Sequence, residues 1–363
     1  MIETIQFIIE HISGLWTLPW ILVGFILTIL LAKIMGREKI DKLMKKIGLM
    51  ILYFFVPVLI FRIFLNTPFS ENEIMFALLT SVIVVIMYLI AVIYAKYIIN
   101  KQKIAKEKQN LFLKTLLTNQ GRSSAFIGSM MFAIPALKIY AAIFMALVGI
   151  ALFAIIPFIL SHMHKKERKE GEGLSKNPLP WFLKLYPWYL IVFVLAAVIL
   201  QYLLGPAPSG KSLSLHLLGK NIDVLWGLYT AITIPAALYY VGAGIHSTDL
   251  KKSELKKLLG LDKKGEKSDH WNWVRKTFIL TVFITPIIIA AIFGPLYFIG
   301  LIEPEWFVVI MINVFLPVTS TNMFLLPYGI DKKTTAHIVT WTTLVCVPIV
   351  VALVTLAGLI FKY

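Results

Sequence analysis

Apolar runs of about twenty residues, separated by short clusters of Lys, Glu, Asn and Gly, recur along the whole chain, the pattern of membrane-spanning helices. They predict ten spans near 16–35, 47–65, 74–95, 111–134, 139–160, 188–204, 224–246, 277–302, 305–328 and 334–361. A helix rises 1.5 Å per residue, so lengths of this order cross a hydrocarbon core about 30 Å thick. The sixth run is short and can draw on 181–187. The expectation is an all-α integral membrane protein with ten transmembrane helices.

Composition agrees with that class. Of 363 residues, 59% are hydrophobic and only 15% are charged, with a mean hydropathy of +0.82. A soluble domain is about half apolar and roughly a quarter charged. The N-terminal stretch MIETIQFIIEHISG carries two Glu and a His and no basic segment, so it reads as an interfacial lead-in rather than a cleavable signal. One cysteine, Cys346, lies in an apolar run. It reads as a small buried hydrophobe, which leaves no intramolecular disulfide and no cysteine metal cluster. No cofactor is expected.

The net charge of +16 changes the picture through its placement. Of the 35 Lys and Arg, 29 fall in alternate loops and their flanks: 33–46, 96–114, 165–184, 251–276 and 332–333. The positive-inside rule puts those loops in the cytoplasm and both termini outside, in a multi-pass cell-membrane protein. The basic loops, 161–187 and 247–276 above all, find their partner in anionic lipid headgroups rather than nucleic acid. His162 and His164 lie in the first of these loops and read as solvated.

Ten spans divide into five and five, giving a first unit at 1–160, a cytoplasmic connector at 161–187 and a second unit at 188–363. An odd number per half makes the second enter the membrane from the opposite side, so related halves would form an inverted repeat, as in many secondary transporters. Two positional matches favour this. The second helix of each half holds one proline, Pro57 in FFVPVLIF (54–61) and Pro235 in ITIPAALYY (232–240). The fourth helix of each half carries a polar, Gly- or Pro-broken patch: TNQGRSSAFIGS (118–129) and NVFLPVTSTNMFLLPYG (313–329).

These patches hold the candidate site: Asn119, Gln120, Arg122, Ser123 and Ser124 in one, Pro317, Thr319, Ser320, Thr321 and Asn322 in the other. Taking Lys114 as the cytoplasmic end of span 4, Arg122 lies about 12 Å deeper, near the midplane. A charge there costs about 2.5–3.5 kcal/mol on insertion scales. Irregular backbone at that depth is tolerated only against protein or a water-filled cavity. No Asp or Glu lies mid-span to neutralise Arg122. An unpaired guanidinium in a cavity suits a carboxylate substrate, which it grips bidentately. Arg62, near the outer end of span 2, reads as a snorkelling structural residue. Hydroxyls and freed carbonyls around Thr319, Ser320 and Asn322 are hard oxygen ligands that would suit sodium. His246 and His337, near cytoplasmic helix ends, read as structural or solvated, with carrying a proton as the alternative. The sequence holds no His-Glu-x-x-His motif and no mid-span aspartate pair, so an enzyme is not expected. A channel or membrane receptor is the alternative from another class, since a polar midplane also suits a pore.

In the order of these features the chain resembles the auxin efflux carrier family, a ten-helix group of the bile acid–sodium symporter superfamily. The resemblance rests on FFVPVLIF, on SSAFIGS (123–129), on PAALYYVGAGI (235–245) and on LPVTSTNMFLLPYGID (316–331). Ser123 stands where the family has Asn, and Met130 where it has its crossover Pro. The resemblance implies an elevator-type carrier and a homodimer. Spans 1, 2, 6 and 7 would form the scaffold, and spans 3–5 and 8–10 a mobile transport domain in which broken spans 4 and 9 cross. It implies a small organic anion as substrate, with sodium, a proton or no coupling ion.

Overall fold

The computed structural model describes residues 19–66, 70–168, 181–204, 220–245, 251–261 and 269–361. Every regular element among them is helical. In chain order they are α1 (Pro19–Met35), α2 (Arg37–Leu65), α3 (Glu71–Gln102), α4 (Lys106–Thr118), α5 (Pro135 to Arg168), α6 (Trp181–Leu204) and α7 (Lys220–Ala243). A short amphipathic helix α8 (Lys252–Leu259) precedes α9 (Asp269 to Phe298), α10 (Pro304–Phe315) and α11 (Lys332–Ile360). Six of these are long and apolar enough to cross a membrane, lying in α2, α3, α5, α6, α9 and α11, and α1 and α10 are shorter apolar helices.

Several sequence-based bounds are corrected. Span 4 is not helical to 134: α4 stops at Thr118, and a 3-10 turn follows at Gly128–Ala133. Span 9 likewise stops at Phe315 and resumes as a 3-10 segment, Ser320–Tyr328. Lys114 does not mark a helix end, since α4 begins eight residues earlier and Lys114 is buried inside it. The connector 161–187 is helical at both ends, through Arg168 and from Trp181, and the loop 247–276 contains α8 and the start of α9. Its polar residues extend amphipathic helices beyond the apolar window that located the spans. His246 falls outside the described residues.

Three helices share a local device. Each contains a five-residue π-turn, Ile51–Phe55, Ala151–Ile155 and Leu280–Ile284, that ends two residues before a proline: Pro57, Pro157 and Pro286. A mid-helix proline lacks its N–H and collides with the carbonyl four residues back. The wider turn relieves that collision. The residue before each proline bonds five residues back, Val56 to Ile51, Ile156 to Ala151 and Thr285 to Leu280.

Helices α1 and α7 pack at backbone contact. A Cβ on Gly24 would lie 2.1 Å from the Tyr239 carbonyl oxygen, and one on Gly242 would lie 1.9 Å from that of Ile21. Small residues allow this approach, which drives helix association where lipid removes the hydrophobic incentive. Arg62 hydrogen-bonds the Thr230 hydroxyl, tying α2 to α7. An apolar groove of about 640 Å³ lies between α2, α6 and α7, lined by Phe61, Phe193, Trp226 and Tyr229 among others.

Candidate functional site

The two breaks meet. At the end of α4 the backbone tightens through Asn119, Gln120 and Gly121, whose N–H groups bond back to Thr115, Leu117 and Thr118. At the end of α10, Pro317 forces Leu316 into an extended conformation, ψ 144°. The freed strands then pair antiparallel around Arg122 and Val318. Ser123 N–H donates to the Pro317 carbonyl at 2.9 Å, and Thr319 N–H to that of Gly121 at 3.0 Å. Each broken helix thus satisfies backbone groups of the other, which is how irregular backbone survives at membrane depth. Gly121 fits tightly there: a Cβ would lie 2.7 Å from Asn322 Oδ1 and 2.9 Å from a Leu152 methyl, so those two side chains would have to shift.

Arg122 is buried, at 3% exposure, and its neighbours are dipoles. Nη2 donates to the Thr281 carbonyl at 3.0 Å and Nη1 to that of Leu316 at 3.3 Å. Gln120 Oε1 accepts from Nη2 at 3.5 Å. Nε has no partner, and no carboxylate pairs with the guanidinium among the described residues. The Thr281 carbonyl is available for a reason written in α9. Thr285 N–H goes to Leu280 across the π-turn, and Pro286 has no N–H to give. The guanidinium therefore fills an acceptor that the proline orphaned. Carbonyl dipoles solvate the cation but leave its net charge in place.

The paired strands separate two small cavities. Arg122, Ser124, Thr319 and Thr321 line one of about 20 Å³, and Ser123, Val318 and Ser320 line another of about 10 Å³. Alternate residues face opposite sides, as extended backbone requires. Three further lining residues of each cavity are related in register. Val148, Gly149 and Leu152 stand nine, eight and five residues before Pro157; Val339, Thr340 and Thr343 stand nine, eight and five before Pro348. The first cavity adds side chains of α2, and the second adds side chains from the end of α7. The apolar groove on α2, α6 and α7 is far larger than either, and it touches neither break.

All ten candidate residues lie at this crossing or within four residues of the bridged pair. Ser124 Oγ donates to Asn313 Oδ1 at 3.0 Å. The hydroxyls of Thr319 and Thr321 lie 2.9 Å apart. Asn119 donates to the Thr115 carbonyl and to Thr335 Oγ1. Both side-chain polar atoms of Asn322 are buried without a partner among the described residues. His337 lies apart from this group, at the start of α11, where its ring meets His270 at 5.0 Å. Residues that the sequence reading passed over also belong to the crossing. Thr281 and Asn313 supply acceptors, Thr342 accepts Val318 N–H at 3.1 Å, and Thr335 bonds Asn119. Pro286 was the available signal for Thr281; nothing in its local sequence marks Thr342. No protein-family model matches the chain, and no curated protein matches it.

Proposed function

We propose that this protein is a secondary carrier that moves a small organic anion across the cell membrane, with the crossing of the two broken helices as its site. The observation that carries the reading is Arg122. It is a buried guanidinium with no carboxylate partner among the described residues and its Nε–H unspent, lining a cavity that Ser124, Thr319 and Thr321 also line. A carboxylate is the group that both neutralises this charge and uses its fork geometry. Six buried side-chain polar atoms without a hydrogen-bond partner among the described residues belong to Thr118, Asn119, Gln120, Arg122 and Asn322, at or beside the crossing. Such atoms are rare in folded proteins and cluster where a ligand or water completes them.

In this reading the chain is two five-helix units in an inverted repeat. The reciprocal backbone bonds at the crossing, the matched prolines Pro57 with Pro235 and Pro157 with Pro348, and the matched register of the cavity linings support it. The two cavities are too small for a carboxylic acid, so transport requires the elements beside the crossing to move. An elevator in which α3–α5 and α9–α11 slide against a dimeric scaffold of α1, α2, α6 and α7 supplies that movement. The apolar groove lies on the scaffold.

A sodium-coupled version of the same carrier has its own observation. Thr319 Oγ1, Thr321 Oγ1 and the unpartnered Asn322 Oδ1 are hard oxygens on one short segment. The deciding experiment is a thermal-shift screen of the purified protein against mono- and dicarboxylates, with and without sodium. We expect stabilisation by one carboxylate class. A flat response to every carboxylate in both salts would remove the anion reading, and a shift present only with sodium selects the coupled version.

A further inference from the structure

A file of polar side chains, linked in part by hydrogen bonds and in part by sequence adjacency, lies between the crossing and one end of the molecule. At its outer end stands His270, the second residue of α9, with Nδ1 3.0 Å from Thr334 Oγ1. Thr334 is followed by Thr335, whose hydroxyl accepts from Asn119 Nδ2 at 3.3 Å. Asn119 adjoins Gln120, and Gln120 meets Arg122. Along α9 the distance from His270 to Thr281, whose carbonyl binds Arg122, is eleven residues, about 16 Å at 1.5 Å each. The helices that wall this file, α4, α9 and α11, all begin at Lys-rich segments.

What distinguishes this file is its unmet hydrogen bonding. Thr118 Oγ1, Asn119 Oδ1, Gln120 Nε2, Arg122 Nε and His270 Nε2 are buried without a partner among the described residues. Thr118, Asn119, Gln120 and Arg122 are each at most 3% exposed. Three polar side chains near the other side of the crossing are met: Ser124 bonds Asn313, Asn313 bonds the Val309 carbonyl, and Ser129 bonds the Phe126 carbonyl; Thr285 Oγ1 and both polar atoms of Asn322 are unmet among the described residues. Buried polar atoms without a protein partner take their hydrogen bonds from water, which needs two to four polar groups around it. Successive residues of the file supply such groups. An apolar seam would have served packing better, since an unmet buried polar atom destabilises the fold.

We infer that this file is a hydrated passage from the Lys-rich face to Arg122, walled by α4, α9 and α11, with the Asn119–Thr335 hydrogen bond partway along it. Resting on the carrier reading for its purpose, it is the route by which an anion from the Lys-rich side reaches the crossing. The passage itself is a claim about water.

Thiol chemistry tests it, because methanethiosulfonates react with the ionised thiolate, which forms where water reaches the sulfur. In a Cys346→Ala background, single cysteines replace Thr118, Thr335 and Ser129 in turn. Each purified variant is first checked for a single folded species by melting and size exclusion. A small hydrophilic methanethiosulfonate should modify the cysteines at 118 and 335 and leave that at 129 unmodified. Cysteines at 118 and 335 as inert as the one at 129 would overturn the passage, and so would equal reaction at all three, which means water enters from both sides. Thr335→Val, which keeps the side-chain shape and removes the hydroxyl, should suppress reaction at 118, whereas Thr335→Ser should not. Reaction that Thr335→Val leaves unchanged also overturns the assignment. Adding malonate separates the two readings: slower modification at 118 reports an anion at the crossing. Reaction without any malonate effect keeps the passage and removes the anion.

Discussion

Arg122 concentrates two demands in one side chain. Its guanidinium donates to the Thr281 and Leu316 carbonyls, so it holds three chain segments together. It also leaves an uncancelled charge at the wall of a cavity. Replacing it with Ala leaves two buried acceptors unmet, at about 1–3 kcal/mol each, while deleting a charge that is itself costly at this depth. We expect Arg122→Ala to melt lower without ligand and to lose the carboxylate-induced shift altogether, at least about 2 kcal/mol of binding, the scale of a truncated buried charge pair. Arg122→Lys keeps the charge and loses the planar fork, so part of the shift should survive. Melting without ligand and the ligand-induced shift are measured together for all three proteins. A lower-melting Arg122→Ala that retains the whole shift leaves Arg122 with a structural task alone. The residue was legible in the sequence as a charge at depth without a counter-charge. Its partners were not, because main-chain carbonyls carry no side-chain signal and Thr281 stands 159 residues away.

Among the elements, the breaks in α4 and α10 were readable because Gly121 and Pro317 interrupt apolar runs amid polar residues. The π-turns were not, since a proline in a membrane helix is as consistent with a kink as with a widened turn. The link from Pro286 through the Thr281 carbonyl to Arg122 makes a definite forecast. Pro286→Ala gives residue 286 an N–H within reach of that carbonyl, so the helix itself can supply the donor. Arg122→Ala should then destabilise less in the Pro286→Ala protein than in the wild type. The double-mutant cycle should show a coupling in the range of about 0.5–3 kcal/mol typical of a shared network. Additive effects on melting would cut the connection between the two residues. A second forecast concerns α1 and α7. Since a Cβ on Gly242 would fall 1.9 Å from the Ile21 oxygen, Gly242→Ala forces two backbones apart and should cost about 1–3 kcal/mol, as overpacking does. A Gly242→Ala protein that melts with the wild type would mean the two helices do not meet at these glycines.

At the scale of the molecule, charge and helix ends have to agree about which face is which. The start of α3 is tied to the start of α10, Asn72 Nδ2 donating to Glu303 Oε1 at 3.2 Å. The other end of α3 is tied to the start of α9, Asn272 Nδ2 donating to Gln102 Oε1 at 2.7 Å. α3 has 32 residues, about 48 Å of helix, so these two contacts lie on opposite faces. Around the second contact are Lys96, Lys101, Lys103, Arg275 and Lys276; around the first the charges are Glu71, Glu73, Glu303 and Glu305. The sequence reading reached the same division from loop composition, because the positive-inside bias acts on residues flanking the spans and needs no knowledge of packing. We propose from that bias that the Lys-rich face is the cytoplasmic one, with Ser175 expected on that side of the membrane and Ser209 on the other. Single cysteines at Ser175 and Ser209, in a chain whose Cys346 is replaced, should therefore behave differently in intact cells. A membrane-impermeant maleimide should label position 209 and spare 175, and breaking the cells should expose 175. Labelling of 175 with sparing of 209 would invert the orientation, and the passage from His270 to Arg122 would then open to the outside.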